Sequence, residues 1–242
     1  MLKDIKLESI LFLDIETVPE VAGFNELSER KQSLWEKKSE YFRKENEDAE
    51  DVYSRAGIYA EFGKVICISV GMMYSQGNDK HLRLKSFYSD DETKLLLEFI
   101  GLLEKLRKKP AVYLCGHNGK EFDFPYLARR ILINGLELPS LLDVAGKKPW
   151  EVSFLDTMDL WKFGDYKHYT SLDLLTSIFN IPTPKDDIDG SMVGKVYWED
   201  GDLERIVKYC EKDVVAVVQL FLKFQGKELL PEEKIETTTF ES

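Results

Sequence analysis

The sequence predicts an α/β protein with a mixed sheet of five strands flanked by helices on both faces. The first observation is the order of segments: apolar runs occur at 10–14, 64–73, 81–88, 111–115 and 153–156, and helical patterns separate the last three. The second is the turn sequence SQGND between the second and third runs, which predicts a β-hairpin of antiparallel neighbours. Strands separated by helices are typical of parallel pairing, so the sheet should contain both orientations.

A single domain is predicted for residues 1–227. The 242-residue chain, with 43% hydrophobic residues, is long enough to bury a substantial core. A polar stretch at about 25–60 is predicted to be an insertion of one or two surface helices after the first strand. Residues 228–242 are predicted to form a flexible C-terminal tail.

The net charge argues against nucleic-acid binding by bulk electrostatics. There are 33 basic and 44 acidic residues, which give a formal charge of −11 at pH 7. A local basic groove is still allowed, and basic residues cluster at 129–130, 147–148 and 162–167; an ordinary charged surface explains these clusters equally well. No stretch has the length of a membrane span or the pattern of a signal peptide, so we expect a soluble cytoplasmic protein without a membrane partner.

The cysteines are predicted to pack in the core. Cys67, Cys115 and Cys210 each lie in an apolar stretch, with no CxxC pair and no histidine at ligand spacing. Buried thiols in a reducing compartment are therefore favoured over a metal or redox role.

The first predicted strand ends in two carboxylates. In ILFLDIET, at residues 10–17, Asp14 and Glu16 are two residues apart, and alternate residues of a strand point to the same face. Burying an unpaired charge is costly, so one explanation is that a partner such as a cation meets both side chains. The other is that the strand ends at Leu13 and leaves both acids in solvent.

A second polar group follows the fourth strand. In GHNGKEFD, at residues 116–123, Asn118 lies in a loop and Asp123 begins a predicted helix. Loops at the carboxyl ends of strands often carry binding sites, although an aspartate here also serves as a helix cap. Asp156 ends the last predicted strand and Asp159 follows it; for Asp156, a supporting role near a site and a simple turn or cap are both open.

A third group lies on a long helix predicted at about 202–223. At about 100° of rotation per residue, Asp213 falls within the apolar stripe that contains Ile206 and Cys210, and Tyr209 lies beside it. A carboxylate on an apolar face needs a cation, hydrogen-bond donors or protonation. A buried salt bridge to arginine or lysine is the competing explanation.

The three groups together supply hard oxygen ligands without clustered histidines or cysteines. Such ligands prefer Mg²⁺ or Mn²⁺ to zinc. Two such ions about 3.5 to 4 Å apart activate water and stabilise the leaving oxygen in phosphodiester hydrolysis. The groups contain four carboxylates, those of Asp14, Glu16, Asp123 and Asp213, and one phenol, that of Tyr209.

The ordered motifs resemble those of the DEDD exonuclease superfamily, in its tyrosine-bearing subgroup. They are DIET at 14–17, NGKEFD at 118–123 and YCEKD at 209–213. The stretches between them, including EFGKVICISVG and SLDLLTSIFNIP, resemble the exonuclease domain of family B DNA polymerases, and in particular the bacterial stand-alone predicted 3′-5′ exonucleases related to that domain. The resemblance covers roughly residues 9–225 and implies a ribonuclease H-like fold.

This resemblance implies a metal-dependent 3′-5′ exonuclease that releases 5′-mononucleotides from 3′ ends of single-stranded nucleic acid, with DNA favoured. It implies two divalent ions, Mg²⁺ or Mn²⁺, held by Asp14, Glu16, Asp123 and Asp213. Tyr209 would orient the attacking water, because a phenol with a pKa of about 10 is a poor base near neutrality. The residues expected to contact the 3′-terminal nucleotide are Thr17, Asn118 and Phe122.

Three alternatives differ in function. An exoribonuclease of the same fold is open, because recognition of the 2′-hydroxyl depends on pocket geometry. A nuclease-fold module that binds nucleic acid without cleaving it is disfavoured by the intact carboxylate set. A phosphatase of the haloacid dehalogenase type is disfavoured because Glu16 stands where a second aspartate is usual, and because Tyr209 and Asp213 would have no role.

Overall fold

The structure, a computed structural model, describes residues 2–77, 79–165, 169–182 and 188–240. Its strands are β1 (Ile10–Pro19), β2 (Gly63–Gln76), β3 (Asp79–Tyr88), β4 (Tyr113–Gly116), β5 (Leu155–Asp156) and β6 (Ile235–Thr237). Its helices are α1 (Glu29–Ser39), α2 (Glu92–Leu106), α3 (Asp123–Ile133), α4 (Thr157–Trp161), α5 (Leu172–Ile178), α6 (Val193–Lys195) and α7 (Leu203–Phe224). None of the helices within these ranges combines the length and hydropathy that a membrane span requires.

The strands form one mixed six-stranded sheet in the order β5-β4-β1-β2-β3-β6. Pairing is antiparallel between β1 and β2 and between β2 and β3, and parallel elsewhere. The antiparallel β2–β3 pair confirms the predicted hairpin, whose turn residue Asn78 lies outside the described residues. The predicted α/β mixed sheet is confirmed, with six strands instead of five.

The sixth strand corrects the prediction of a flexible tail at 228–242. Ile235–Thr237 pairs in parallel with β3 at the edge of the sheet. The hydroxyls of Thr237 and Thr239 donate hydrogen bonds to Glu211, a buried carboxylate of α7. These bonds tie the segment to the core, and β-branched threonines suit an extended backbone.

Alternating residues of β1 belong to two different cores. The odd-numbered positions from Leu11 to Ile15 pack with residues of α2 and α3. The even-numbered positions from Ile10 to Phe12 pack with residues of α7 on the opposite face. Asp14 and Glu16 continue the even-numbered series, so the alternation of the strand directs their side chains toward α7.

Helix α7 approaches the sheet closely at Gly71 of β2. A Cβ atom at this position would lie 2.9 Å from Cγ1 of Val214, closer than van der Waals contact permits. Asp202 caps the helix by accepting a hydrogen bond from the backbone N–H of Arg205 at 3.1 Å. The helix predicted at 202–223 is therefore confirmed, and its N-terminal half lies over the carboxyl-terminal half of β1, where Cys210 contacts Asp14 and Ile206 packs with Val18.

The insertion between β1 and β2 has a small aromatic core of its own. Trp35 of α1 is fully buried, and its Nε1 donates a hydrogen bond to the carbonyl of Ala49 at 2.8 Å. Arg130 of α3 donates to the carbonyl of Ala60 at 2.8 Å, which fastens the end of the insertion to the main domain. The rings that meet Trp35 edge-on are those of Phe42, Tyr53, Tyr59 and Phe62.

Candidate active site

Two acidic side chains of β1 lie side by side on the face that α7 covers. Asp14 is half-buried and Glu16 is buried. The ligand atoms of Asp14, Glu16 and Cys210 all lie within 4.8 Å of one another, so one ion can reach all three. A β-bulge follows between Glu16 and Thr17; bulges occur often beside active sites, where they redirect side chains.

Asp123 joins this pair from the first turn of α3. Its buried carboxylate accepts a hydrogen bond through Oδ1 from the backbone N–H of Ile15 at 3.2 Å. The N-cap residue of α3 is Phe122, whose side chain makes no capping hydrogen bond. Asp123 is therefore not the N-cap considered from sequence, and its carboxylate lies beside the segment that carries Asp14 and Glu16.

Tyr209 and Asp213 come from successive turns of α7. Residues four apart share a helix face, and the two side chains are hydrogen-bonded to each other. Both are half-buried, so Asp213 lies at the margin of the apolar face and not in its fully buried centre. Burial raises the pKa of the Tyr209 phenol, and the nearby charges of Asp213 and Glu16 raise it further.

The four carboxylates are close enough to repel one another. Burial raises the pKa of Asp14 well above its ordinary value, and the charges of Asp123, Asp213 and Glu16 add to this rise. Burial and the charge of Asp213 likewise raise the pKa of Glu16. The pKa of Asp123 rises to about 7, mainly because of burial. Such a set of buried oxygen donors is matched by divalent cations, which remove the repulsion.

Cys210 borders this site, a contact that sequence reasoning missed. It is fully buried, as predicted, but its Sγ lies 3.4 Å from both the backbone oxygen and Oδ2 of Asp14. Its place in an apolar stripe made simple packing the natural interpretation. The available signal was its position beside Tyr209 and three residues before Asp213, on the same side of the helix.

The residues predicted to contact substrate adjoin acidic residues of the cluster along the chain or lie in the loop before α3. The Thr17 side chain lies near the hydroxyl of Tyr126 in α3. Asn118 has a left-handed backbone with φ of 63°, and its buried Oδ1 has no hydrogen-bond partner among the described residues. Phe122 is half-buried, and its ring centroid lies 5.4 Å from that of Tyr126. Their contact with a nucleotide stays a prediction.

Asp156 has both of the roles that the sequence left open, a helix cap and a supporting role near the site. It is buried at the end of β5 and caps α4 by accepting hydrogen bonds from the N–H groups of Met158 and Asp159 at 3.0 and 3.3 Å. The same carboxylate accepts hydrogen bonds from the N–H groups of Asn118 and Lys120, both at 3.0 Å. It therefore caps a helix and also braces the loop that leads to Asp123.

Some residues of the predicted basic clusters form ion pairs, and others are exposed to solvent. Arg130 is buried and donates to the two carboxylate oxygens of Glu92 at 2.8 and 2.5 Å, so it is committed inside the fold. Its neighbour Arg129 is exposed. Lys162 pairs with Asp159 at 3.5 Å, and residues 166 and 167 of the same run lie outside the described residues.

The geometry agrees with a comparison against known protein families. A family described as predicted 3′-5′ exonucleases related to the exonuclease domain of PolB matches residues 58–240. The chain belongs to this family. The matched range includes Asp123, Tyr209 and Asp213, whereas Asp14 and Glu16 lie before it on β1.

DNA polymerases of Pyrococcus species are similar to part of this exonuclease-related chain. It is 30% identical to DNA polymerase 1 of Pyrococcus abyssi over 145 residues, which are 54% of this chain and 18% of the polymerase. It is 29% identical to a DNA polymerase of Pyrococcus glycovorans over 144 residues, again 54% of this chain and 18% of the polymerase. The chain thus spans less than a fifth of these curated relatives.

A solved polymerase shares the fold. The family B DNA polymerase from the hyperthermophilic archaeon Pyrobaculum calidifontis superposes with a TM-score of 0.51 at 16% identity, over 89% of this chain and 24% of the polymerase chain. The predicted ribonuclease H-like fold is confirmed by this likeness.

Proposed function

We propose that this protein is a metal-dependent 3′-5′ exonuclease that hydrolyses phosphodiester bonds at the 3′ ends of single-stranded nucleic acid, with DNA favoured. The product is a 5′-mononucleotide. The observation that carries the proposal is the convergence of four carboxylates from β1, α3 and α7 on one point, where their buried charges repel in the absence of cations. Family membership supports the reaction class.

The acidic cluster is suited to hold two divalent ions, Mg²⁺ or Mn²⁺. When bound, such ions supply the positive charge that activates water and stabilises the leaving oxygen. The residues that would hold them are Asp14, Glu16, Asp123 and Asp213. The hydrogen bond from Ile15 to Asp123 fixes one of these carboxylates before any ion arrives, which reduces the cost of assembling the site.

Tyr209 is assigned to orienting the attacking water. Its pKa is raised by burial and by the surrounding carboxylates, so the phenol keeps its proton at neutral pH and is unsuited to act as a base. A protonated phenol donates one hydrogen bond and accepts others. It can therefore align a water molecule without removing its proton.

The substrate's terminal nucleotide would lie against Thr17, Asn118 and Phe122. The Oδ1 of Asn118, which has no partner within the described part of the chain, is an acceptor that a sugar hydroxyl or base N–H can satisfy. The partly exposed ring of Phe122 offers a surface for stacking, which tolerates different bases. These features favour recognition of a strand end without strong sequence preference.

The test uses matched single-stranded DNA and RNA oligonucleotides carrying a 3′-terminal label, incubated with Mg²⁺ or Mn²⁺. Labelled mononucleotide should be released from DNA faster than from RNA, and a chelator should stop the release. Asp14→Asn and Asp213→Asn should abolish it. Asp79→Asn is the control, because Asp79 is exposed on β3 and pairs with Lys234 away from the acidic cluster.

Two outcomes would redirect the proposal. Faster release from RNA would identify an exoribonuclease of the same fold. Binding of Mn²⁺ and oligonucleotide without any release of nucleotide would identify a binding module and contradict catalysis.

A further inference from the structure

The carboxylate of Asp156 connects the end of β5 to the loop between β4 and α3. β4 and β5 are parallel neighbours, with Gly116 opposite Asp156 in the register. From this position, Asp156 Oδ1 accepts the N–H of Asn118 and Oδ2 accepts the N–H of Lys120. Hydrogen bonds to a carboxylate are stronger than those between neutral groups, so these two bonds define the path of the loop.

The loop is held in a conformation that needs such support. Asn118 has a positive φ, which residues with a side chain adopt only when their surroundings impose it, although asparagine tolerates it better than most. Its Oδ1 is buried and unpartnered among the described residues. An unpaired buried acceptor is costly unless a ligand satisfies it, so Asn118 is held ready for a donor.

The same loop also leads into α3, but Asp123 has an anchor of its own. The carbonyl of Asn118 accepts the N–H of Phe122 at 3.0 Å, which starts the helix. Asp123 is separately fixed to β1 by the N–H of Ile15. Losing Asp156 should therefore disturb Asn118 more than the metal-binding carboxylates.

Other contacts keep the loop attached when Asp156 is altered. His117 Nδ1 lies 2.9 Å from the Thr157 hydroxyl, and its Nε2 lies 2.9 Å from the Thr170 carbonyl. These contacts hold the start of the loop. The hydrogen bonds that Asp156 accepts therefore act mainly on the conformation of Asn118.

We propose that Asp156 is a positioning residue that fixes Asn118 against the 3′-terminal nucleotide, and so sets the affinity for substrate. Asp156 touches neither the nucleotide nor the metal ions in this scheme. The inference rests on the proposed exonuclease function, and it adds a residue outside the three motifs to the machinery of that site.

The decisive variant is Asp156→Ser. Serine is a good N-cap and can preserve the start of α4, but it has one oxygen and a shorter reach, so it loses the bonds to Asn118 and Lys120. Asp159→Asn is the matched control, because Asp159 is exposed on the same helix and pairs with the Lys120 side chain at 2.9 Å. Far-UV circular dichroism checks that each variant is folded.

The experiment measures KM and kcat for a single-stranded oligodeoxynucleotide, and Mn²⁺ affinity by calorimetry, on the full chain. Asp156→Ser should raise KM about tenfold, since roughly that factor corresponds to the loss of one hydrogen bond between Asn118 and the nucleotide, with kcat changed less than about twofold. Mn²⁺ affinity should be unchanged. Asp159→Asn should match the wild type in all three quantities.

A double-variant cycle identifies the route of the effect. If Asp156 acts through Asn118, then Asn118→Ala should raise KM by itself, and adding Asp156→Ser should raise it no further. Additive effects, or a parallel loss of kcat and Mn²⁺ affinity, would overturn the inference. If the wild type releases no nucleotide, the same cycle is measured as the dissociation constant of a labelled oligonucleotide with Mn²⁺, by fluorescence anisotropy. The inference about Asp156 is thereby tested independently of the catalytic proposal.

Discussion

Asp123 accepts a hydrogen bond through Oδ1 from the backbone N–H of Ile15 at 3.2 Å. Ile15 stands between Asp14 and Glu16 in β1, so this bond fastens a helix-borne carboxylate to the strand that carries the other two. The alternation of β1 then directs Asp14 and Glu16 toward α7, where Asp213 completes the cluster. The acidic site therefore lies where β1, α3 and α7 meet.

The repulsion within this cluster predicts that Asp14→Asn stabilises the metal-free protein. The substitution keeps the shape of the side chain and removes one of the mutually repelling buried charges. The melting temperature in a chelator should rise by about 2 to 4 °C, which corresponds to about 1 kcal/mol for a chain of this size. The additional rise that Mn²⁺ gives the wild type should be lost. Differential scanning calorimetry with and without Mn²⁺ measures both effects, and a lower metal-free melting temperature than that of the exposed control Asp79→Asn would contradict the prediction.

The same carboxylates predict that the metal-free protein loses stability as the pH rises. The pKa of Asp123 is about 7 in the folded chain, against about 4 for an unfolded aspartate. Between these values the folded state binds more protons than the unfolded state, so the free energy of unfolding falls with increasing pH from about 4 to 7. Urea denaturation in a chelator across this range measures the slope. Asp123→Asn should flatten it, and an unchanged slope in that variant would count against this assignment.

Tyr209→Phe should slow the reaction without weakening metal binding. The substitution removes the hydroxyl that orients water but leaves the ring and the carboxylates in place. We expect kcat to fall about tenfold or more, equivalent to the loss of one hydrogen bond of about 1.4 kcal/mol. Since the phenol's pKa is raised, the wild-type pH–rate profile should show no limb from tyrosine ionisation below about pH 9. A limb that disappears in Tyr209→Phe would show that the phenol acts as a base.

Sequence patterns predicted the parts of this molecule that depend on local chemistry. The alternation around Asp14 and Glu16 gave their shared face, and helical periodicity placed Tyr209 beside Asp213. The start of α2 depends on equally local chemistry, because Asp91 accepts a hydrogen bond from the N–H of Lys94 at 3.1 Å. Each of these features is determined within a few residues, so a single sequence can contain the signal.

The features that were missed depend on contacts between distant segments. Cys210 was interpreted as ordinary packing because its contact with Asp14 is invisible along the chain. Arg130 was grouped with surface cations, although the structure buries it against Glu92. Periodicity describes which face of an element is apolar, but it does not identify the polar group that a distant element brings to that face.

The buried pair of Arg130 and Glu92 predicts a large stability effect. Both side chains are 8% exposed, and Glu92 also accepts the N–H of Val65 at 2.8 Å. Arg130→Ala leaves this carboxylate buried without its cation, which should lower the free energy of unfolding by about 3 to 5 kcal/mol. The adjacent exposed residue supplies the control, Arg129→Ala, for which we expect less than about 0.5 kcal/mol. Equal effects of the two substitutions in urea denaturation would refute the structural role of the pair.

The last prediction concerns the segment first expected to be a flexible tail. Glu211 is 8% exposed and accepts hydrogen bonds from the hydroxyls of Ser86, Thr237 and Thr239. The double substitution Thr237→Val and Thr239→Val keeps the shape and β-propensity of the segment but removes two of these donors.

The resulting under-satisfied carboxylate should lower the free energy of unfolding by about 1 to 3 kcal/mol. Thr238→Val is the control, because the Thr238 hydroxyl donates to the carbonyl of Leu84 at 3.1 Å and not to Glu211. Adding Glu211→Gln to the double variant should recover part of the loss, since it removes the buried charge. If that addition destabilises the protein further, the threonines act through strand pairing instead, and β6 is held to β3 by its backbone alone.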